Sequence, residues 1–68
     1  MFKVYYGLTF GEGYEPDGDH ASPVEALDDA KGQAVASVVL KQVDDCYTLM
    51  YVVVGDTVFD CLKGEVMA

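Results

Sequence analysis

Cys46-Tyr47-Thr48-Leu49-Met50-Tyr51-Val52-Val53-Val54 runs into Gly55-Asp56 and returns as Thr57-Val58-Phe59-Asp60. The first run is dominated by β-branched and aromatic side chains, which pack well on a pleated surface and lose rotamer freedom in a helix. Gly55 stands at the first turn position, where a type II′ hairpin needs a positive φ. The turn therefore predicts a two-residue hairpin whose second strand extends to Lys63. Its register sets Val53 opposite Val58, Val52 opposite Phe59, Tyr51 opposite Asp60 and Met50 opposite Cys61. Strict alternation places Met50, Val52 and Val54 on one side of the first strand and Leu49, Tyr51 and Val53 on the other. A strand apolar on both sides belongs in the middle of a sheet covered on both faces. A helix can cover one face; the other calls for a loop, a second subunit or a bound partner.

Working toward the N-terminus, Asp44-Asp45 is a second candidate turn, and Val35, Val38, Val39 and Val43 favour a strand before it. The segment 34–43 has two readings, because Ala34 and Val38 also continue a helical stripe from upstream. Upstream lies a well-marked helix start: Ser22 as cap, Pro23 in the first turn and Glu25 three residues after the cap. Val24, Leu27 and Ala30 give the apolar stripe. Lys31 suits the negative end of the helix dipole, and Gly32 fits a stop. The shorter helix, ending at Gly32, is the favoured reading, with 34–43 as a strand.

Phe2, Val4, Tyr6, Leu8 and Phe10 alternate with Lys3, Tyr5, Gly7 and Thr9, a period of two that predicts a half-buried strand over 2–10. Gly7 marks a bulge or a close backbone approach. Residues 11–21 break the alternation. Gly11, Gly13, Pro16 and Gly18 punctuate Glu12, Glu15, Asp17 and Asp19, which predicts an extended, solvated and mobile acidic loop. The expectation is one α+β domain over 1–68: an antiparallel sheet of three to four strands with one short helix packed on it.

With 68 residues the core is thin, since a chain of this size buries only about 60% of its unfolded surface. The chain holds twelve acidic residues against four lysines and carries a net charge of −8. Its apolar fraction of 51% excludes a disordered acidic tail. Such a charge repels nucleic acid and anionic lipid and attracts basic proteins, including those that hold nucleic acid. No apolar run approaches the roughly 20 residues of a membrane-spanning helix, and the start lacks the pattern of a signal peptide. These features predict a soluble cytoplasmic protein with reduced thiols.

The chemical motifs are weak. Asp17-x-Asp19 begins like a calcium loop, but Ala21, Ser22 and Asp28 fall where the EF-hand pattern needs an acid or amide, a glycine and a glutamate. His20 is the only histidine. It reads as an exposed loop residue or, beside Asp19, as a proton carrier. Cys46 and Cys61 share a face in the hairpin register but stand about four residues apart, beyond disulfide reach at about 3.3 Å per residue. Cys61 reads as core packing and Cys46 as the mouth of a hairpin. Gly11-Glu12-Gly13 lacks the remainder of a nucleotide fingerprint. The reading assigns no catalytic residue, metal ligand or cofactor, and expects no enzyme.

Tyr5 and Tyr14, beside the acids of the 12–19 segment, suit arginine and lysine, because a ring offers a cation–π face and a carboxylate a charge-assisted hydrogen bond. The plain alternative packs both tyrosines against the loop. Glu12, Tyr14, Glu15, Asp17, Asp19, Asp28, Asp29 and Tyr5 form the candidate partner-binding set. Carboxylates spread over one face can stand in for nucleic-acid phosphates; they also serve simple solubility.

In length, charge, acidic Glu12–Asp19 segment and short capped helix between strands, the chain resembles the small acidic anti-CRISPR proteins encoded by phages. The resemblance lies in the overall profile and not in a shared motif. It implies a non-enzymatic, DNA-mimicking inhibitor in the cytoplasm of a bacterial host. Its partner would be the basic nucleic-acid-binding surface of a CRISPR effector complex, type I slightly favoured, and it would act as a monomer. The alternative is a homo-oligomeric phage structural or accessory protein that uses an apolar sheet face as its interface.

Overall fold

The hairpin around Gly55 forms in the register that the sequence sets. A computed structural model describes residues 1–7, 15–33 and 35–67, with the backbone alone at 15 and 16. In it, β4 (Cys46–Val54) pairs with β5 (Thr57–Asp60), joining Val53 to Val58, Val52 to Phe59 and Tyr51 to Asp60. Gly55 takes φ +61°, as a tight turn requires of its first position. Past the paired region, the Cys61 N–H still donates to the Met50 carbonyl at 3.0 Å. The turn at Asp44-Asp45 also forms. Asp44 adopts φ 54°, a left-handed conformation that aspartate tolerates better than most residues, and Gln42 Nε2 donates to the Asp44 carbonyl at 3.0 Å.

Six strands form one antiparallel sheet, two more than the upper expectation. In space they run β2 (Glu15–His20), β1 (Phe2–Tyr6), β3 (Ser37–Val43), β4, β5 and β6 (Glu65–Val66). Residues 37–43 are therefore strand, and β4 is interior, as its apolar character implies. The described part of the first strand ends at Tyr6, and residues 8–10 lie outside the described residues.

The first unforeseen strand is β2. The expected acidic loop is corrected over 15–20, where it pairs with β1. Pro16, Gly18 and the acids disfavour a central strand, but β2 is an outer strand, where proline is tolerated. A shift in register between Val4 and Tyr5 leaves Asp17 as the extra residue of a bulge. The second unforeseen strand is β6, a two-residue return made possible by Gly64 at φ +72°.

The helix α1 (Pro23–Lys31) is the short form. The Ser22 side chain accepts from the Glu25 N–H at 3.2 Å, as a cap should. Gly32 ends it in a right-handed conformation, its N–H bonding back to the Asp28 and Asp29 carbonyls. The buried stripe differs from the expected one. Ala26 and Ala30 are fully covered and Leu27 is half-buried, while Val24 is 66% exposed. Two alanines one turn apart leave no side-chain bulk between helix and sheet, so α1 can lie close over β2, β1 and β3.

The core lies between α1 and one face of the sheet. Val4, Val39, Val53 and Val58 are its fully buried sheet members, with Phe2, Leu27, Met50 and Tyr51 packed around them. Val4 faces Val39 across β1 and β3, and Ser37 faces Val53 across β3 and β4. The buried Ser37 hydroxyl donates to the Val35 carbonyl at 3.3 Å. Gly7 is buried, and its N–H donates to the Ala36 carbonyl at 3.0 Å, carrying the β1–β3 pairing one residue further. No described helix is long and apolar enough to cross a membrane.

Candidate functional site

Two surfaces of opposite character lie on the two sides of the sheet. On the helix side, the last residue of β2 and the last turn of α1 meet. His20 Nε2 donates to Asp29 Oδ2 at 2.7 Å. Gln33, just past the helix, donates from Nε2 to Asp17 Oδ2 at 3.0 Å, to Asp29 Oδ1 at 3.1 Å and to the Asp29 carbonyl at 3.3 Å. Gly18 makes room for this cluster. A Cβ there would stand 3.4 Å from Asp29 Oδ2 and 3.5 Å from His20 Nε2. His20 is thus no exposed loop residue; it is half-buried and engaged.

The two carboxyl groups shift in opposite directions because they share a hydrogen bond. Asp17 is raised above the ordinary carboxylate value by that bond to Asp29, then by burial and by the Asp29 charge, against the influence of His20. Burial pushes Asp29 upward, but hydrogen bonds from Asp17, His20 and Gln33 outweigh it and hold the group below the ordinary value. The pair is best treated as one titrating unit in which Asp29 gives up its proton before Asp17.

The remaining expected binding residues do not gather on one face. Asp28 is exposed on α1, on the helix side. Asp19 lies across from Lys3 on the opposite side of the sheet, and Lys3 Nζ sits 3.1 Å from its Oδ1 and 3.2 Å from its Oδ2. Tyr5 is half-buried on that same side, away from Asp28 and Asp29. Glu12 and Tyr14 lie outside the described residues, as does the Glu15 side chain. Other exposed acids occupy α1 (Glu25), the hairpin tips (Asp44, Asp45, Asp56) and β6 (Glu65). Among the described residues, the ion pairs are Lys3–Asp19 and His20–Asp29.

The side away from the helix is apolar, and no described element covers it. Tyr5, Val38, Val52, Phe59 and Val66 form a row across β1, β3, β4, β5 and β6. Leu40 and Leu49 form a second row beside Lys3. Sequence alternation misplaced Leu49. A bulge between Val39 and Leu40 shifts the β3–β4 register, and Leu49 joins Val52 and Val54 on the open side. A period-two reading has no local signal for such a bulge.

Among the described residues, no three His, Cys, Asp or Glu side chains gather into a possible metal site. Cys46 is exposed and Cys61 half-buried, both as free thiols. Cys61 thus belongs to the turn after β5 and not to the core. Asp60 is buried beneath that turn, and its Oδ1 accepts from the Leu62 and Lys63 N–H groups, both at 3.0 Å. No family model, curated protein or solved structure matches the chain.

Proposed function

We propose that this chain is a non-enzymatic binding protein that occupies a basic surface on another protein. The supporting observation is the state of its acids. Asp17, Glu25 and Asp28 on the helix side, and Asp44, Asp45, Asp56 and Glu65 at the turns and β6, are exposed without a cationic partner among the described residues. Most of the described carboxylates are therefore open to solvent, in a chain whose net charge is −8. Such a field speeds encounter with a cationic groove, while a few desolvated carboxylate–arginine pairs set the lifetime of the complex.

In its anti-CRISPR form, the proposal makes the partner a type I effector complex and the effect a loss of target-DNA binding. The protein would exclude DNA by occupying the groove. Asp28 and Asp17, exposed on the helix side, are the best-placed contacts, while Asp29, engaged by His20 and Gln33, and Asp19, held by Lys3, contribute less than the sequence suggested. Mobility-shift titration of an effector complex with target DNA, with and without the chain, tests this form. DNA binding should fall as the chain is added. Undiminished binding at large molar excess would end the anti-CRISPR version. For the broader reading, the association rate with any captured basic partner should drop steeply between low and high salt.

A further inference from the structure

We propose that the uncovered sheet face is where a second copy of this chain docks, face to face, to make a four-layer helix–sheet–sheet–helix dimer. This goes beyond the binding function above and does not depend on it.

The face has the makeup of an interface centre. Phe59 is 38% exposed, Leu49 42% and Val54 51%. Tyr5, Val38, Leu40 and Val52 lie between them in register. Its described charges are Lys3 and Asp19, which neutralise each other at the β2–β1 edge. A charge-poor centre with aromatic residues distinguishes interface cores from ordinary surface. The open acids that would draw in a basic partner lie on the helix side, at the hairpin tips and on β6, outside this face. Among the described residues the face thus offers a cationic groove only Asp19, already paired with Lys3. It does match another apolar, charge-poor sheet, and the chain itself supplies one.

Size and geometry agree. A standard interface takes about 800 Å² from each partner, roughly a fifth of this chain's 4241 Å² surface. One broad side of a body measuring 29 × 25 × 20 Å between Cα atoms can provide it. Two such sheets stack about 10 Å apart with strands some 30° from parallel. A two-fold axis near Val38 and Val52 would set Tyr5 of one copy toward Phe59 of the other. Both helices, with Glu25 and Asp28, would remain outermost.

Each copy carries −8, so long-range repulsion opposes pairing, and this gives the test its sign. Salt shortens the screening length from about 30 Å at 0.01 M to about 8 Å at 0.15 M. Self-association should therefore strengthen with salt, whereas binding to a basic partner weakens; failure of one reading leaves the other standing. Sedimentation equilibrium should show a monomer–dimer equilibrium that tightens by about tenfold or more over that range. Leu49→Lys and Phe59→Lys should each weaken the dimer about tenfold or more although they lower the net repulsion. Asp28→Lys, on the outer helix, should leave it intact or tighten it. Isotope-filtered NOEs between differently labelled copies should connect the Phe59 ring to the Tyr5 ring and Val52 methyls to Val38 methyls, a readout that needs no variant. A chain that stays monomeric at high concentration and high salt overturns the proposal. So does a dimer lacking those NOEs, or one that ignores both lysine substitutions in the sheet face.

Discussion

His20 Nε2 lies 2.7 Å from Asp29 Oδ2, so the end of the outer strand β2 is bonded directly to the last turn of α1. The contact joins a strand of poor intrinsic propensity to the element that covers the core. Gln33 doubles the link by bonding Asp17 and Asp29 together. Asp29→Ala should cost about 1.5–3 kcal/mol, the range for a hydrogen bond to a charged group. Urea unfolding measures it. The loss should be accompanied by faster amide exchange in 17–20 than in β4.

The pH dependence follows from the depressed Asp29 carboxyl. A carboxylate held below its unfolded value stabilises the fold fully above that value, near pH 4, and the contribution drains away as pH falls through the lower folded-state value. Thermal unfolding between pH 6 and pH 2.5 should show this acid limb, and Asp29→Asn should flatten it.

Asp17 has the opposite sign, because its carboxyl is raised beside Asp29. Its proton is held more tightly in the folded chain, and that stabilisation fades as pH rises through the raised value. Asp17→Asn supplies an amide donor toward Asp29 and removes one like charge beside it. Its melting temperature near neutral pH should equal or slightly exceed that of the unsubstituted chain; a clear fall would contradict the unfavourable Asp17–Asp29 charge pairing.

Asp60 accepts two backbone N–H groups beneath the β5–β6 turn. Asp60→Ala leaves both donors without that acceptor and should cost about 1–3 kcal/mol. Asp60→Asn keeps an acceptor oxygen and should cost less. At Gly64 the added methyl of Gly64→Ala meets nothing within 4 Å, so only the positive φ is charged against it, about 1 kcal/mol. Chemical denaturation of the three variants should preserve this order.

Cys46 and Cys61 are free, the first exposed and the second half-buried. A thiol reagent should label both in the folded chain, Cys46 first. Mass spectrometry of the unreduced protein should find no internal disulfide.

Much of the fold was legible because it is local. The Gly55 hairpin, its register, the Ser22-Pro23 helix start and the stop at Gly32 each follow from residues close in sequence. The short helix and the strand at 37–43 were the favoured branch of an open choice, settled when β3 found β1 and β4 as neighbours. The acidic candidates could be named from composition, but their grouping could not. Asp29 joins His20 and Asp17, while Asp19 goes to Lys3 on the other side of the sheet.

By itself the sequence determined the charge, the Gly55 hairpin and its register, and the capped helix, since backbone preference and turn chemistry act over a few residues; the return strand, read as running to Lys63, ends at Asp60. Only the tertiary structure decided that 15–20 is a strand, because Pro16 and Gly18 are acceptable there only at a sheet edge, with Asp17 absorbed in a bulge and His20 bonded to Asp29. It alone moved Leu49 to the uncovered face, since a bulge reverses side-chain direction and depends on the neighbouring strand.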